Sequence, residues 1–394
     1  MKTLYLHIGT TKTGTTSIQK FCLQNKDILQ EKNYCFPNSI HRYENKKNAT
    51  LRYKGIHRNG HFLVGSVWDE NGMHNTAEEE RLFHEGMANV AALFETYDNI
   101  ILSDEGIWYM SSYGKRDLWD RLKTHAQEHS YQIKIIVYLR RQDDFFISNW
   151  NQAVKENHMT DSIEINLEET LRTRPMRYAY GEKLDLIAQV LGRENIIVRR
   201  FDVRMFYGDS IYADFLHCLH LELTDEYLPL ENTTNNTSLE GNALEIMRIL
   251  NTIPALDAEK RLLYLENLRA ITQISDYHCS MLSYEERKAF MSHFEKGNQH
   301  VAEEYICDGN PLFDTQPVQL PKWESVNPYM HEDLLRFFIS VSQAHYEKTD
   351  ALYTRIETLE KRVSSLEEKL QFTRNQLKHP VKTIGSKFIE KKKK

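Results

Sequence analysis

Cysteine, proline and glycine are scarce, with 5, 9 and 16 positions in 394 residues. So little glycine and proline excludes collagen-like and low-complexity chains, and 41% hydrophobic with 27% charged residues excludes a wholly disordered one. The cysteines Cys22, Cys35, Cys218, Cys279 and Cys307 are odd in number and form no C-x-x-C pair, which argues against a disulfide framework or a zinc knuckle. We expect reduced thiols. Long apolar runs are missing too: stretches such as Ile135–Val137 fall far short of the ~18 to 20 residues that cross a bilayer. Residues Met1 to His7 lose their apolar character at His7 and pass into a Gly/Thr-rich turn, unlike a secretory leader, so the expected location is the cytoplasm.

Charge is unevenly spread. The net charge is −6, yet residues 378–394 hold seven Lys against Glu390, a local +6 that leaves −12 upstream. An acidic body disfavours nucleic acid as a partner, whereas a short basic end suits an anionic surface such as the inner face of a membrane.

Before residue 220 short β-branched runs alternate with amphipathic stretches. Thr3–Ile8, Ile100–Ser103, Ile133–Leu139 and Asn195–Phe201 read as strands, and Ser17–Gln24, Asp143–Glu156 and Ile211–Leu221 as helices. This alternation predicts βαβ units and a parallel sheet, in which ligands bind beyond the carboxyl ends of the strands. The places to look are therefore Gly9–Thr16, Asp104–Glu105 and Arg140–Ser148. From about Ser238 the pattern turns helical, with Leu239–Leu250, Ala258–Ile271, Tyr284–Tyr305 and His331–Ala344 as candidates.

Leu352, Ile356, Leu359, Val363, Leu366 and Leu370 then repeat at 4-3-4-3-4 spacing, a heptad pattern that favours a parallel two-stranded coil. Across such a coil Arg355 faces Glu360 of the partner subunit and Arg362 faces Glu367 of the partner subunit. The plain alternative is one amphipathic helix lying on its own domain. Pro380 ends the segment either way.

The stretch from His7 to Gln19, HIGTTKTGTTSIQ, reads as a strand end, a loop bounded by Gly9 and Gly14, and a helix start. Backbone N–H groups of such a loop, with a helix N-terminus behind them, make a seat for phosphate or sulfate. A triphosphate-binding loop would carry Lys directly after the second glycine. Here Thr15 stands there, and the loop lysine is Lys12. Farther on, Arg140 follows a strand and Ser148 lies eight residues later at a helix start. A guanidinium fork beside a hydroxyl is a good clamp for a second phosphate.

These two segments resemble the 5'-phosphosulfate loop and the 3'-phosphate site of sulfotransferases that use 3'-phosphoadenylyl sulfate. The resemblance, which covers about residues 1–325, implies an α/β, P-loop-like three-layer fold with a central parallel sheet and a helical C-terminal part, to which the heptad pattern adds a terminal coiled coil. The chain then divides into a sulfotransferase domain over 1–325, a connecting helix over 326–349, the coil over 350–377 and a basic tail over 378–394. The resemblance implies that Thr11, Lys12, Thr13, Gly14, Thr15, Thr16, Arg140 and Ser148 bind the donor, with no metal. Sulfuryl would pass in line to a carbohydrate hydroxyl, Lys12 stabilising the leaving group. Relatives place the base near the strand end at Glu105, with His61 or His57 as the second choice. The i, i+4 spacing of His57 and His61 lacks a third ligand for a metal. Residues 39–75, including Tyr53, Arg58 and Trp68, suit an acceptor-side insertion. Glycine-rich donor contacts seen in steroid and phenol sulfotransferases are missing, which points toward carbohydrate-modifying branches. Two rivals stay open: a kinase-like enzyme using ATP and Mg²⁺, and a catalytically silent coiled-coil scaffold.

Overall fold

The computed structural model describes residues 1–38, 58–69, 71–113, 117–230, 238–254, 256–314 and 319–378. Five parallel strands build one sheet: β1 (Thr3–His7), β2 (Tyr34–Cys35), β3 (Asn99–Ser103), β4 (Gln132–Leu139) and β5 (Ile196–Arg200). Their order across the sheet is β2-β3-β1-β4-β5. In register, His7 of β1 lies beside Ser103 of β3 and Ile136 of β4, so all three strands deliver their following loops to one edge. The chain leaves β1 toward β2 and β3, then crosses β1 to reach β4. That reversal opens a crevice at the carboxyl end of β1.

Both faces of the sheet are covered, which is why the strands read as nearly continuous apolar runs. Tyr5, Ile101, Ile136 and Tyr138 share one face with Ile18, Phe21, Phe215 and Leu216 of helices Thr15–Gln24 and Ile211–Cys218. Leu4, Leu6, Ile100, Leu102, Ile135 and Val137 alternate onto the other face and are fully buried.

The chain divides into two compact units, residues 1–256 with 276–327, and residues 257–275 with 328–394. In the second, helix Ala258–Ile274 packs on the first half of helix Met330–Lys378. Leu268, Ile271 and Phe337 are buried, Tyr264 meets Phe337 edge-on at 5.7 Å, and the Ser275 hydroxyl donates to Asp333 at 2.9 Å.

One strand lies outside the expected set: β2, whose two residues carry no period. One expectation needs correction: Tyr284–Tyr305 is not one helix but breaks into Tyr284–Ser292, Glu295–Val301 and a wider turn over Ala302–Ile306. The Ser292 hydroxyl and His293 both bond the Ala289 carbonyl near the first break, competing with the helical ladder. From Met330 the expected connecting helix leads into the 350–377 segment without a break. Helix Met330–Lys378 runs through that boundary, because neither Gly nor Pro occurs within it. Pro380 lies outside the described residues. No helix among the described residues is long and apolar enough to cross a membrane.

Candidate functional site

The loop after β1 is laid along β4. Ile8 N–H donates to the Ile136 carbonyl at 3.0 Å, and Thr10 gives both its N–H and its hydroxyl to the Tyr138 carbonyl at 3.4 and 3.2 Å. Gly14, at φ 71°, precedes helix Thr15–Gln24 as its N-cap; a Cβ there would stand 2.4 Å from Ile211 Cδ1. Glycine therefore serves both the left-handed backbone and the close approach of the neighbouring helix. As a cap it contributes no side-chain hydrogen bond, and the first turn holds no acidic residue. Neither a side-chain cap nor a first-turn carboxylate thus occupies this helix N-terminus.

Within this cradle the threonines differ. Thr13 is buried and its hydroxyl donates to the Thr10 carbonyl at 2.5 Å, so only its backbone remains for a ligand. Thr15 is buried with its methyl toward Gly9, while Thr16 is exposed. The Thr11 hydroxyl donates to Asn149 Oδ1 at 3.0 Å, tying the loop to helix Gln142–Glu156 one residue beyond Ser148. Ser148 itself is half-buried.

Lys12 forms the crest of the loop in the left-handed region, φ 68°. Its carbonyl accepts from Arg140 Nη1 at 3.3 Å, which brings the two separated sequence motifs together. Burial pushes the Lys12 ammonium down; Arg140 adds to that, while Glu156 and Glu105 oppose it. Neither Lys12 nor Arg140 forms an ion pair with a carboxylate among the described residues, whereas Arg141 bonds Asp143 at 2.9 Å. Asp143 and Asp144 are held in turn by Arg287 at 2.7 and 2.5 Å. Of two adjacent arginines, one is structural and the other is turned to the cradle. The Tyr180 hydroxyl fixes the latter by donating to the Arg140 carbonyl at 2.8 Å.

At the end of β3 the arrangement departs from a simple exposed base. Asp104 is fully buried and accepts from Arg58 Nε and Nη2 at 2.8 and 2.5 Å, from His61 Nδ1 at 3.0 Å and from Gly106 N–H at 2.6 Å. Burial pushes this carboxyl up, but Arg58 and His61 win and hold it well below the usual carboxylate range. Asn59 carries the same segment onto β3, donating to the Ile101 carbonyl at 2.9 Å and accepting from Ser103 N–H at 2.7 Å. Glu105 is half-buried, and its Oε2 is buried without a hydrogen-bond partner among the described residues. Its charge is the weakest of those that act on Lys12. His61 is thus brought to Asp104, while Glu105 reaches Lys12 only through its charge. His57 and Tyr53 lie outside the described residues, as do 39–56 generally. Trp68 is 60% exposed and leans on His74.

Sequence reasoning assigned no role to Asp104, Asn59 or His7. His7 is completely buried, shares a hydrogen bond with Ser103 Oγ through Nδ1 at 2.9 Å and leaves Nε2 unpartnered. Gln19 completes this knot, donating to Ser103 Oγ at 3.1 Å. Burial lowers the His7 imidazole to about 3, so it stays neutral. The available signal was a polar residue ending an apolar strand directly before Gly9. Among the described residues no group of three or more His, Cys, Asp or Glu is placed to hold a metal ion.

No protein-family model matches the chain. An uncharacterized protein of Archaeoglobus fulgidus is 28% identical over 182 residues, 45% of this chain and 47% of that protein. The chain thus spans about half the length of that relative. A crystal structure of a sulfotransferase from Alicyclobacillus acidocaldarius aligns over 58% of this chain and 86% of its own, at 17% identity and a TM-score of 0.31. That is a weak and distant likeness to a bacterial sulfotransferase fold.

Proposed function

We propose that the chain is a sulfotransferase that moves the sulfuryl group of 3'-phosphoadenylyl sulfate to a hydroxyl of a carbohydrate. The observation that carries this reading is the meeting of Lys12 and Arg140 at neighbouring strand ends, neither paired with a carboxylate among the described residues, beside a helix N-terminus left without a cap. Two such anion seats suit a nucleotide with phosphate at both 3' and 5' positions. The loop keeps Gly9 and Gly14 but has Thr15 where a triphosphate-binding loop needs Lys.

In this reading the N–H groups of Gly14, Thr15 and Thr16 hold the 5'-phosphate, and Arg140 with Ser148 holds the 3'-phosphate. The acceptor oxygen forms a bond to sulfur as the bond from sulfur to the bridging oxygen breaks. Lys12 stabilises the electron pair left on 3',5'-adenosine diphosphate. Glu105 takes the acceptor proton; its buried, unpartnered oxygen favours it over His61, whose Nδ1 is engaged by Asp104. Carbohydrate as acceptor rests on the sequence resemblance. The same reading places the protein in the cytoplasm, with residues 378–394 drawn to an anionic membrane face.

The C-terminal helix favours a second element of the proposal. Leu352, Ile356, Leu359, Val363, Leu366 and Leu370 are each about half exposed, from 48% to 56%, a stripe that a second copy of the chain would cover. Transfer of label from radioactive donor to a glycan pool in the presence of EDTA, strongly reduced by Lys12→Ala, is the expected result. Activity that instead requires ATP and Mg²⁺ would favour the kinase-like alternative. Failure to bind either nucleotide would leave the scaffold.

A further inference from the structure

Around the carboxyl edge of the sheet, most arginines are matched to acids. Arg141 and Arg287 share Asp143, Arg199 bonds Asp214, and Arg200 bonds Asp308. Arg177 is different. It ends the short turn Pro175–Arg177 before helix Tyr180–Leu191, is half-buried, and forms no ion pair or side-chain hydrogen bond among the described residues. Two aromatic rings hold its guanidinium instead, Tyr109 at 5.5 Å and Phe145 at 5.6 Å. A planar cation that is partly desolvated, held by rings and given no counterion is built to receive an oxyanion.

Its neighbours locate it. Tyr109 lies on helix Gly106–Tyr113, which starts directly after Glu105. Phe145 lies on helix Gln142–Glu156, one turn before Ser148. The Tyr180 hydroxyl, which bonds the Arg140 carbonyl, is pushed up chiefly by burial and then feels the charges of both Arg140 and Arg177. Arg177 thus packs between the helix that follows Glu105 and the helix that carries Ser148. A second cation lies nearby. Lys183 donates to the Trp108 carbonyl at 2.9 Å and sits 4.6 Å from that indole ring, and burial followed by the charge of Arg177 lowers it to about 7.

We infer that Arg177 forms a further oxyanion subsite, which takes a carboxylate, phosphate or sulfate group carried by one of the two substrates. The inference rests on the sulfotransferase reading, and it has two possible sources of the anion. Either the acceptor is acidic beside its reacting hydroxyl, or Arg177 is a third contact to the donor's 3'-phosphate.

Calorimetric titration with 3',5'-adenosine diphosphate, on wild type, Arg177→Gln, Arg177→Lys and the exposed control Arg172→Gln, separates the sources. Loss of tenfold or more in affinity for Arg177→Gln, partly restored in Arg177→Lys and absent from Arg172→Gln, assigns the subsite to the donor. Unchanged nucleotide affinity, together with a rise in Tm when phosphate is added to the nucleotide-saturated wild type but not to Arg177→Gln, assigns it to an acidic acceptor. Phosphate is compared with chloride at equal ionic strength. If both variants match wild type in both titrations, the subsite is overturned while the donor reading stands. If wild type does not bind the nucleotide at all, the donor reading fails and the subsite with it. Should Arg177→Gln not fold, as judged by circular dichroism, Arg177→Lys carries the same comparisons, since it keeps the charge and loses the fork.

Discussion

Replacing Asp104 with Asn tests the buried clamp at the end of β3. The substitution keeps the shape and leaves an oxygen for the Gly106 N–H, but removes the charge that Arg58 and His61 share. Breaking a buried ion pair by removing one partner costs about 3 to 5 kcal/mol. Arg58 is 23% exposed on its side chain and can recover some hydration, so a loss of about 3 kcal/mol at pH 7 is expected, the low end of that range. The pH dependence has a definite sign. The Asp104 carboxyl is held below its unfolded value, so its contribution is complete above about pH 4 and falls away as the pH drops further toward the folded value. Urea unfolding of wild type and Asp104→Asn at pH 7 and at pH 3 measures both. The difference between the proteins should shrink at the lower pH. A loss below 1 kcal/mol at pH 7, or a difference independent of pH, would refute the claim that Asp104 is an ionised anchor.

Other outcomes follow from the same geometry. Gly14→Ala meets Ile211 and a left-handed backbone, so a destabilisation of about 1 to 3 kcal/mol by urea unfolding is expected, accompanied by loss of nucleotide binding. Lys12→Ala should lower turnover about 100- to 1000-fold in a label-transfer assay, with a smaller change in affinity for 3',5'-adenosine diphosphate. For Lys183 the folded value lies below the unfolded one, so its contribution to stability rises with pH from about 7 to 10; Lys183→Met should remove that slope in unfolding curves. Leu359→Lys combined with Leu366→Lys should convert a two-chain species into a single-chain one in sedimentation, as should a chain ending at Thr349.

Much of the sheet was legible because its strands are buried on both faces and so appear as apolar runs. Observed β1, β3, β4 and β5 begin or end within a residue or so of the expected limits. The site was legible as places, since parallel strands put their following loops on one edge. Partnerships were not. Arg140 is marked by its eight-residue spacing to Ser148, but that Arg141 is tied up by Asp143, itself shared with the distant Arg287, shows only in the fold. Asp104 and Glu105 are likewise adjacent acids, yet the segment Arg58–Leu63, reaching across from another part of the chain, buries the first and leaves the second near Lys12. Arg177 has no motif at all, because its meaning comes from two rings supplied by two other helices. In the C-terminal helix the absence of Gly and Pro was visible, and the repeat at 352–370 lies within one unbroken helix.

Metal-independent binding of 3',5'-adenosine diphosphate tests the central claim most directly. Titration of wild type, Lys12→Ala and Arg140→Ala in EDTA, beside ATP with Mg²⁺, should show preferential binding of the bisphosphate to wild type and a loss of about tenfold or more in Arg140→Ala. Equal or tighter binding of ATP with Mg²⁺, or no binding of the bisphosphate, would contradict the account.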